Sequence, residues 1–116
     1  MELSSFHLLA VLIAGYFFWR FIKFRIARSN IPRLLSEGAL VVDVRTSHEF
    51  AAGSRPGSLN IPLSELPKKI HILDKNKPIV VCCASGARSG AAQTILKKHG
   101  FRNVLNAGPW QNTVVS

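Results

Sequence analysis

From Leu3 to Trp19 the chain is apolar at every position except Ser4, Ser5, His7 and Gly15. At a rise of about 1.5 Å per residue this run reaches about 25 Å as a helix. Phe21, Ile22 and Phe24 carry the apolar character further, while Arg20 and Lys23 have stems long enough to bring their charges to lipid headgroups. Tyr16 and Trp19 fall where an aromatic belt belongs. The pattern predicts one membrane-spanning helix. A secretory signal would place basic residues before the apolar run and a small-residue cleavage site after it. Here the cations follow, as Arg20, Lys23, Arg25, Arg28 and Arg33, and the charges before the run are only Glu2 and the amino terminus. An interfacial helix needs a polar face, and none can be drawn before Arg20. The positive-inside rule then puts the remainder of the chain in the cytoplasm, for a single-pass protein of the cell membrane. The expected division is an anchor with its basic juxtamembrane segment over residues 1–28 and one domain over 29–116.

The pattern changes after Ser29. Ile31 to Glu37 predicts a short helix with Pro32 in its first turn and Gly38 as its stop. Unbroken apolar runs follow at Ala39 to Val42, at Ile79 to Cys82 and, shorter, at Val104 and Leu105. Runs of this kind mark strands covered on both faces, hence a parallel sheet. Between the last two, Ala91, Ala92, Ile95 and Leu96 recur at helical spacing within Ser89 to His99, with Lys97 and Lys98 in the final turn and Gly100 ending it. His48 to Ala52 and Ser64 to Ile70 predict two more short helices, separated by the turn-rich segment from Gly53 to Gly57. The expected architecture is α/β, with helices on both faces of a parallel sheet.

A length of 116 residues excludes a multidomain enzyme, and 47% hydrophobic against 18% charged residues excludes a disordered chain. The net charge of +9 invites a nucleic-acid reading. Five of the cations are juxtamembrane, however, and the aromatics concentrate in the span, so contact with anionic lipid accounts for the charge and no nucleic acid is expected. From Glu37 onward ten cations face five anions, a balance that suits an anionic substrate. The two cysteines, Cys82 and Cys83, are neighbours, which excludes a disulfide framework and a four-ligand metal site.

The chemistry concentrates after the second strand, because open parallel sheets bind ligands beyond the carboxyl ends of their strands. Cys83, Ala84, Ser85, Gly86, Ala87, Arg88 and Ser89 form a loop that opens into a helix. Its small residues let successive N–H groups turn inward as an anion cradle, and the helix start adds its own donors. A thiol there ionises readily, since such surroundings bring a cysteine from about 8.5 to roughly 3.5–7.5. Cys83 is the expected nucleophile. Cys82 alternates to the opposite face and into the packing. Arg88, at the helix start, is placed to hold an anion, and Ser85 is either a hydroxyl donor or a turn residue.

This loop resembles the active-site loop of rhodanese domains: cysteine, two residues, glycine, one residue, arginine, serine. The resemblance extends to Asp43, Val44 and Arg45 with Glu49 and Phe50, to Gly53, Pro56 and Gly57, to Asn60 through Leu63, and to Asn106 through Trp110. It implies a rhodanese-like central parallel sheet flanked by helices, here preceded by one transmembrane helix. It also implies a sulfurtransferase in which Cys83 takes a sulfane sulfur as a persulfide and passes it on, without metal or organic cofactor. The implied partners are a small anionic sulfur donor such as thiosulfate or a persulfide, and a thiol or cyanide acceptor. The anchor adds the lipid bilayer and leaves a homo-oligomer or a membrane-protein partner open. The backbone of Ala84, Ser85, Gly86, Ala87, Arg88 and Ser89 would bind the substrate, with electrostatic help from Arg88.

In the upstream motif, Arg45 and Glu49 are four apart and are expected to pair, while Asp43, at a strand's carboxyl end, is expected to orient loop N–H groups or an arginine. All three read as structural support. The chain departs from the family where many members have Gly-His-Ile-Pro-Gly-Ala, since it has Gly53, Ser54, Arg55, Pro56, Gly57 and Ser58. Gly108 is followed by Pro109 in place of a second glycine and a longer final helix, so the C-terminal cover is expected to be thin or to come from the membrane or a partner. Two rival readings stand beside sulfur transfer. Counted from Cys82, five residues precede Arg88, the longer loop of phosphatase or arsenate-reductase chemistry; the other rival is a non-catalytic membrane-tethered interaction or redox-sensing module.

Overall fold

The computed structural model describes residues 4–114; Leu3, where the apolar run begins, and the chain's end at Ser116 lie outside the described residues. Four parallel strands, β1 (Leu40–Asp43), β2 (Leu59–Asn60), β3 (Ile79–Cys83) and β4 (Val104–Pro109), make one sheet in the order β2-β1-β3-β4. β1, β3 and β4 grow from the three apolar runs. β2 was not expected, because two residues carry no periodicity; it is held by pairing with Val42 and Asp43 and by the Asn60 amide, which donates to the Asp43 and Arg45 carbonyls at 3.0 Å each.

The helices are α1 (Ser5–Ser36), α2 (Ser47–Ala52), α3 (Leu66–Lys69) and α4 (Ala87–Lys98). The segment expected as one helix over Ser64 to Ile70 is α3 flanked by 3-10 turns at Leu63–Glu65 and Ile70–Ile72. The separate helix expected over Ile31 to Glu37 does not form. α1 runs unbroken for 32 residues with Pro32 inside it. Pro32 withholds one N–H from the helix ladder, yet Ala27, Ile31 and Leu34, on the turns around it, are buried, and this packing carries the helix past the proline.

The core has two sides. On one, Val42, Val81 and Cys83 meet Ala92 and Leu96 of α4 together with Ile61, Leu66 and Phe101. On the other, Val41, Val80, Cys82 and Ala107 meet Ile31 and Leu34 of α1. After β4 the described chain adds only a 3-10 turn, Trp110–Thr113. The cover that the sequence left to the membrane or a partner is therefore largely supplied by the C-terminal part of α1.

The direction of α1 fixes which end of the domain meets the apolar segment. Its last turn adjoins the start of β1, and one end of its domain-packed portion, at Phe24, lies against Gly86 and Gly108 at the carboxyl ends of β3 and β4. From Phe6 to Trp19 its large side chains are exposed, and this part of α1 is long and apolar enough to cross a membrane.

Candidate active site

β3 ends in two cysteines that point to opposite faces of the sheet, as alternation requires. Cys82 lies among the side chains under α1, and burial pushes its thiol up to about 12. Cys83 sits under the following loop, where Gly86 has a φ of +104°, a left-handed conformation that favours glycine. That turn brings the Gly86 N–H to 2.9 Å from the Cys83 Sγ. Burial raises the Cys83 thiol, but the Ser89 hydroxyl and the N–H groups of Ser89, Gly86 and Ser85 outweigh it, and the net shift is below the ordinary value. A nucleophile counted from Cys82 would have to act from the α1 side, away from these donors.

The Ser89 hydroxyl lies 3.3 Å from the Cys83 Sγ and 2.6 Å from Asn106 Oδ1. It has one proton for two acceptors. With Cys83 protonated, the S–H donates to Ser89 and Ser89 to Asn106; when the thiolate forms, Ser89 turns its proton to sulfur. Asn106 Oδ1 stays satisfied through the Gly108 N–H at 3.0 Å, and its amide donates to the Gly86 carbonyl at 3.2 Å. Asn106 thus ties β4 to both the glycine and the serine that face the sulfur.

Arg88 Nη1 and Nη2 form a bidentate pair with Glu49 at 2.7 and 2.9 Å, about one-third exposed. Arg88, followed by the Thr46 backbone N–H, holds the Glu49 carboxyl down at about 2. Glu49 also completes a capping box with Thr46 at the start of α2. The expected side-chain pair between Arg45 and Glu49 is not formed. Capping turns Glu49 back over the first turn of α2 and toward Arg88. Arg45, one residue before the cap and almost fully buried, lies on Asp43 instead, with Nε at 3.0 and 3.1 Å from its two oxygens and Nη2 at 2.8 Å. Arg45 also donates to the Gly53 carbonyl at 2.7 Å and stacks 5.2 Å over the Trp110 ring. Asp43 accordingly orients an arginine, and it accepts the Arg45 N–H at 3.0 Å. Arg55, in the segment that departs from the family pattern, donates to the Thr113 carbonyl and ties that turn to the C-terminal one.

Two residues beside the loop come from α1 and had no signal in the sequence, since they lie some sixty residues away. Arg20 Nη2 donates to the Ser85 carbonyl at 2.6 Å. The Phe24 ring fills the notch left by two glycines: a Cβ on Gly86 would lie 2.5 Å from it and one on Gly108 2.9 Å. Phe24→Ala is expected to loosen the turn that aims the Gly86 N–H at sulfur. The pH midpoint of Cys83 alkylation, followed by peptide mass, should rise, with Phe24→Leu restoring most of it. A lower melting temperature with an unchanged midpoint would show that the ring only packs.

The sequence pattern of the Rhodanese-like domain family matches residues 29–108. A sulfurtransferase of Allochromatium vinosum is 38% identical over 71 residues, covering 61% of this chain and 66% of that protein. The thiosulfate sulfurtransferase GlpE of Stutzerimonas stutzeri is 33% identical over 96 residues, covering 79% of this chain and 88% of that one. Among solved structures, a rhodanese-related protein from Thermoplasma volcanium superposes with a TM-score of 0.66 at 35% identity, over 75% of this chain and 86% of that one. The chain spans between 40% and 66% of the length of several of the curated relatives it matches.

Proposed function

The chain belongs to the rhodanese-like domain family, and from that premise we propose that it is a membrane-anchored sulfurtransferase in which Cys83 carries a sulfane sulfur. The observation that supports this most is the Cys83 Sγ held at 2.9 Å by the Gly86 N–H and at 3.3 Å by the Ser89 hydroxyl. The Cys83 thiolate attacks the outer sulfur of a donor such as thiosulfate. The new S–S bond forms, the old one breaks, and sulfite leaves with its electron pair. The N–H groups of residues 84 to 89 hold the resulting persulfide anion. A thiolate or cyanide then takes the outer sulfur and returns Cys83 to its thiolate, a double displacement that needs no strong general acid because both leaving groups are good. α1 is the anchor, and its flanking cations keep the domain in the cytoplasm.

Intact-mass measurement of the detergent-solubilised chain after exposure to thiosulfate or an organic persulfide tests the reading. The expected result is a gain of one sulfur, removable by reductant. No gain from either donor, with phosphate-ester hydrolysis in its place, would overturn it.

In this mechanism Arg88 meets the donor's charge, and to do so it must exchange Glu49 for the donor. Glu49→Gln keeps the helix cap and removes the competing charge. An exposed pair of this kind holds the arginine only weakly, so the variant should lower the KM for thiosulfate about two- to fivefold with kcat little changed. Steady-state kinetics with cyanide as acceptor reads this directly, and a raised KM would mean that Glu49 positions Arg88 and does not compete for it.

A further inference from the structure

We propose that the groove between α1 and the C-terminal turn seats one anionic phospholipid, whose phosphate is held by Arg25 and Arg28. The proposal rests on α1 as the membrane anchor and is independent of sulfur transfer. The groove, about 730 Å³, has Phe21, Arg25 and Arg28 on its α1 wall and Pro109, Asn112 and Val114 on the other. Its volume falls among those of small-molecule sites, about 300–1,000 Å³. On the helix Phe21, Arg25 and Arg28 are four and three apart, so they form one stripe along the groove.

Two arginines are singled out because the other charges near them are committed elsewhere. Of the five cations that follow the apolar run, Arg20 donates to the Ser85 carbonyl at 2.6 Å, the Lys23 ammonium stands 5.0 Å over the Trp19 ring, and Arg33 pairs with Glu37 at 3.2 Å. The carboxylates are engaged as well. Glu37, Asp43, Glu49 and Glu65 each pair with another cation, and Asp74 accepts the Asn76 N–H at 2.9 Å. Arg25 and Arg28 are exposed and form no ion pair among the described residues. Like charges one turn apart repel, and an anion between them turns the repulsion into attraction.

The place of the groove on α1 selects a lipid as the source of that anion. Arg25 and Arg28 follow Trp19, the aromatic end of the span, by about 9 and 14 Å along the helix. Helical side chains lean toward the N-terminus, here toward the bilayer, and the headgroup layer is roughly 5–8 Å deep on each side. The arginine stems cover the remaining distance. Each guanidinium presents a fork of donors that matches phosphate oxygens. The Ser29 hydroxyl, also in the groove, already donates to the Ile26 carbonyl at 2.7 Å, so recognition falls to the two arginines. Phe21, at the membrane end, offers an apolar wall to the start of an acyl chain.

The full chain in dodecylmaltoside micelles tests this by titration with dioctanoylphosphatidylglycerol, the bound lipid being counted by native mass spectrometry. One lipid should bind per chain, and dioctanoylphosphatidylcholine at least tenfold more weakly. Arg25→Gln and Arg28→Gln, both at exposed helical positions, should each weaken phosphatidylglycerol about fivefold, and Arg33→Gln less than twofold. Equal losses from all three variants would mean diffuse attraction without a site, and the proposal falls. It falls too if glycerol phosphate binds as tightly as the lipid, since the groove would then be a site for free anions. Flotation with phosphatidylcholine vesicles checks the premise: a chain that does not float has no anchor, and the proposal goes with it while sulfur transfer at Cys83 is untouched.

Discussion

Cys83→Ser takes up no sulfur from thiosulfate or a persulfide, a loss of roughly a thousandfold or more, whereas Cys82→Ala loads as the parent chain does. The contrast is a matter of surroundings, since the two thiols are adjacent and both buried. At Cys82 desolvation, reinforced by the Asp43 carboxylate and only partly offset by Arg45 and Arg55, pushes the thiol up to about 12. Cys83 has desolvation plus the Ser89 hydroxyl and three N–H groups, which outweigh it and bring the thiol below its ordinary value. Loading depends on the thiolate, so its rate should climb with pH through a midpoint below that of an ordinary thiol and then level off; a reaction at Cys82, with its thiol pushed up to about 12, would still be rising there. Ser89→Ala should move the midpoint upward, because it removes the first of the donors that offset burial. Sulfur uptake that survives Cys83→Ser and vanishes with Cys82→Ala would reverse the assignment.

Much of this site was legible because its parts are local. The apolar run Ile79 to Cys82, the small residues and glycine after Cys83, and the helical spacing from Ala91 specify a strand, a turn and a helix start from neighbours alone. The placement of Cys82 and Cys83 on opposite faces followed from alternation, and the two sides of β3 bear that placement out. The reading failed where partners are chosen at a distance. Glu49 has two cations within reach, and the spacing of four favoured Arg45; Thr46 decides otherwise, since a threonine at that point turns Glu49 into a cap and leaves it facing Arg88. Arg20 and Phe24 read as the tail of an apolar span, and nothing in their neighbourhood announces a loop beginning at Cys83. Only the sheet, by setting the direction of α1, brings them together. Pro32 looked like a helix start for the same reason: local rules see the missing N–H and cannot see the burial of Ile31 and Leu34 that outweighs it.

Asp43→Ala should be the most destabilising single change beside the site, costing about 3–5 kcal/mol, because it leaves a buried guanidinium without its carboxylate. Asp43 is fully buried and Arg45 nearly so, and three of the contacts between their side chains are at hydrogen-bond distance. The carbonyls of Gly53 and Glu49 and the Trp110 ring would remain around Arg45, and none of them carries a full negative charge. Against a total stability of roughly 5–15 kcal/mol for a domain, such a loss should appear as a large drop in melting temperature in detergent micelles, followed by near-ultraviolet circular dichroism. Asp43→Asn keeps the shape and loses the charge, so it should fall between. The double variant Asp43→Leu with Arg45→Met removes both charges and should recover most of the stability. If it is no more stable than Asp43→Ala, the burial of charge is not the source of the loss. The cost would then lie in the links Arg45 makes from the end of β1 to Gly53 and Trp110, which tie the turn after α2 and the turn after β4 to the strand beside Cys83.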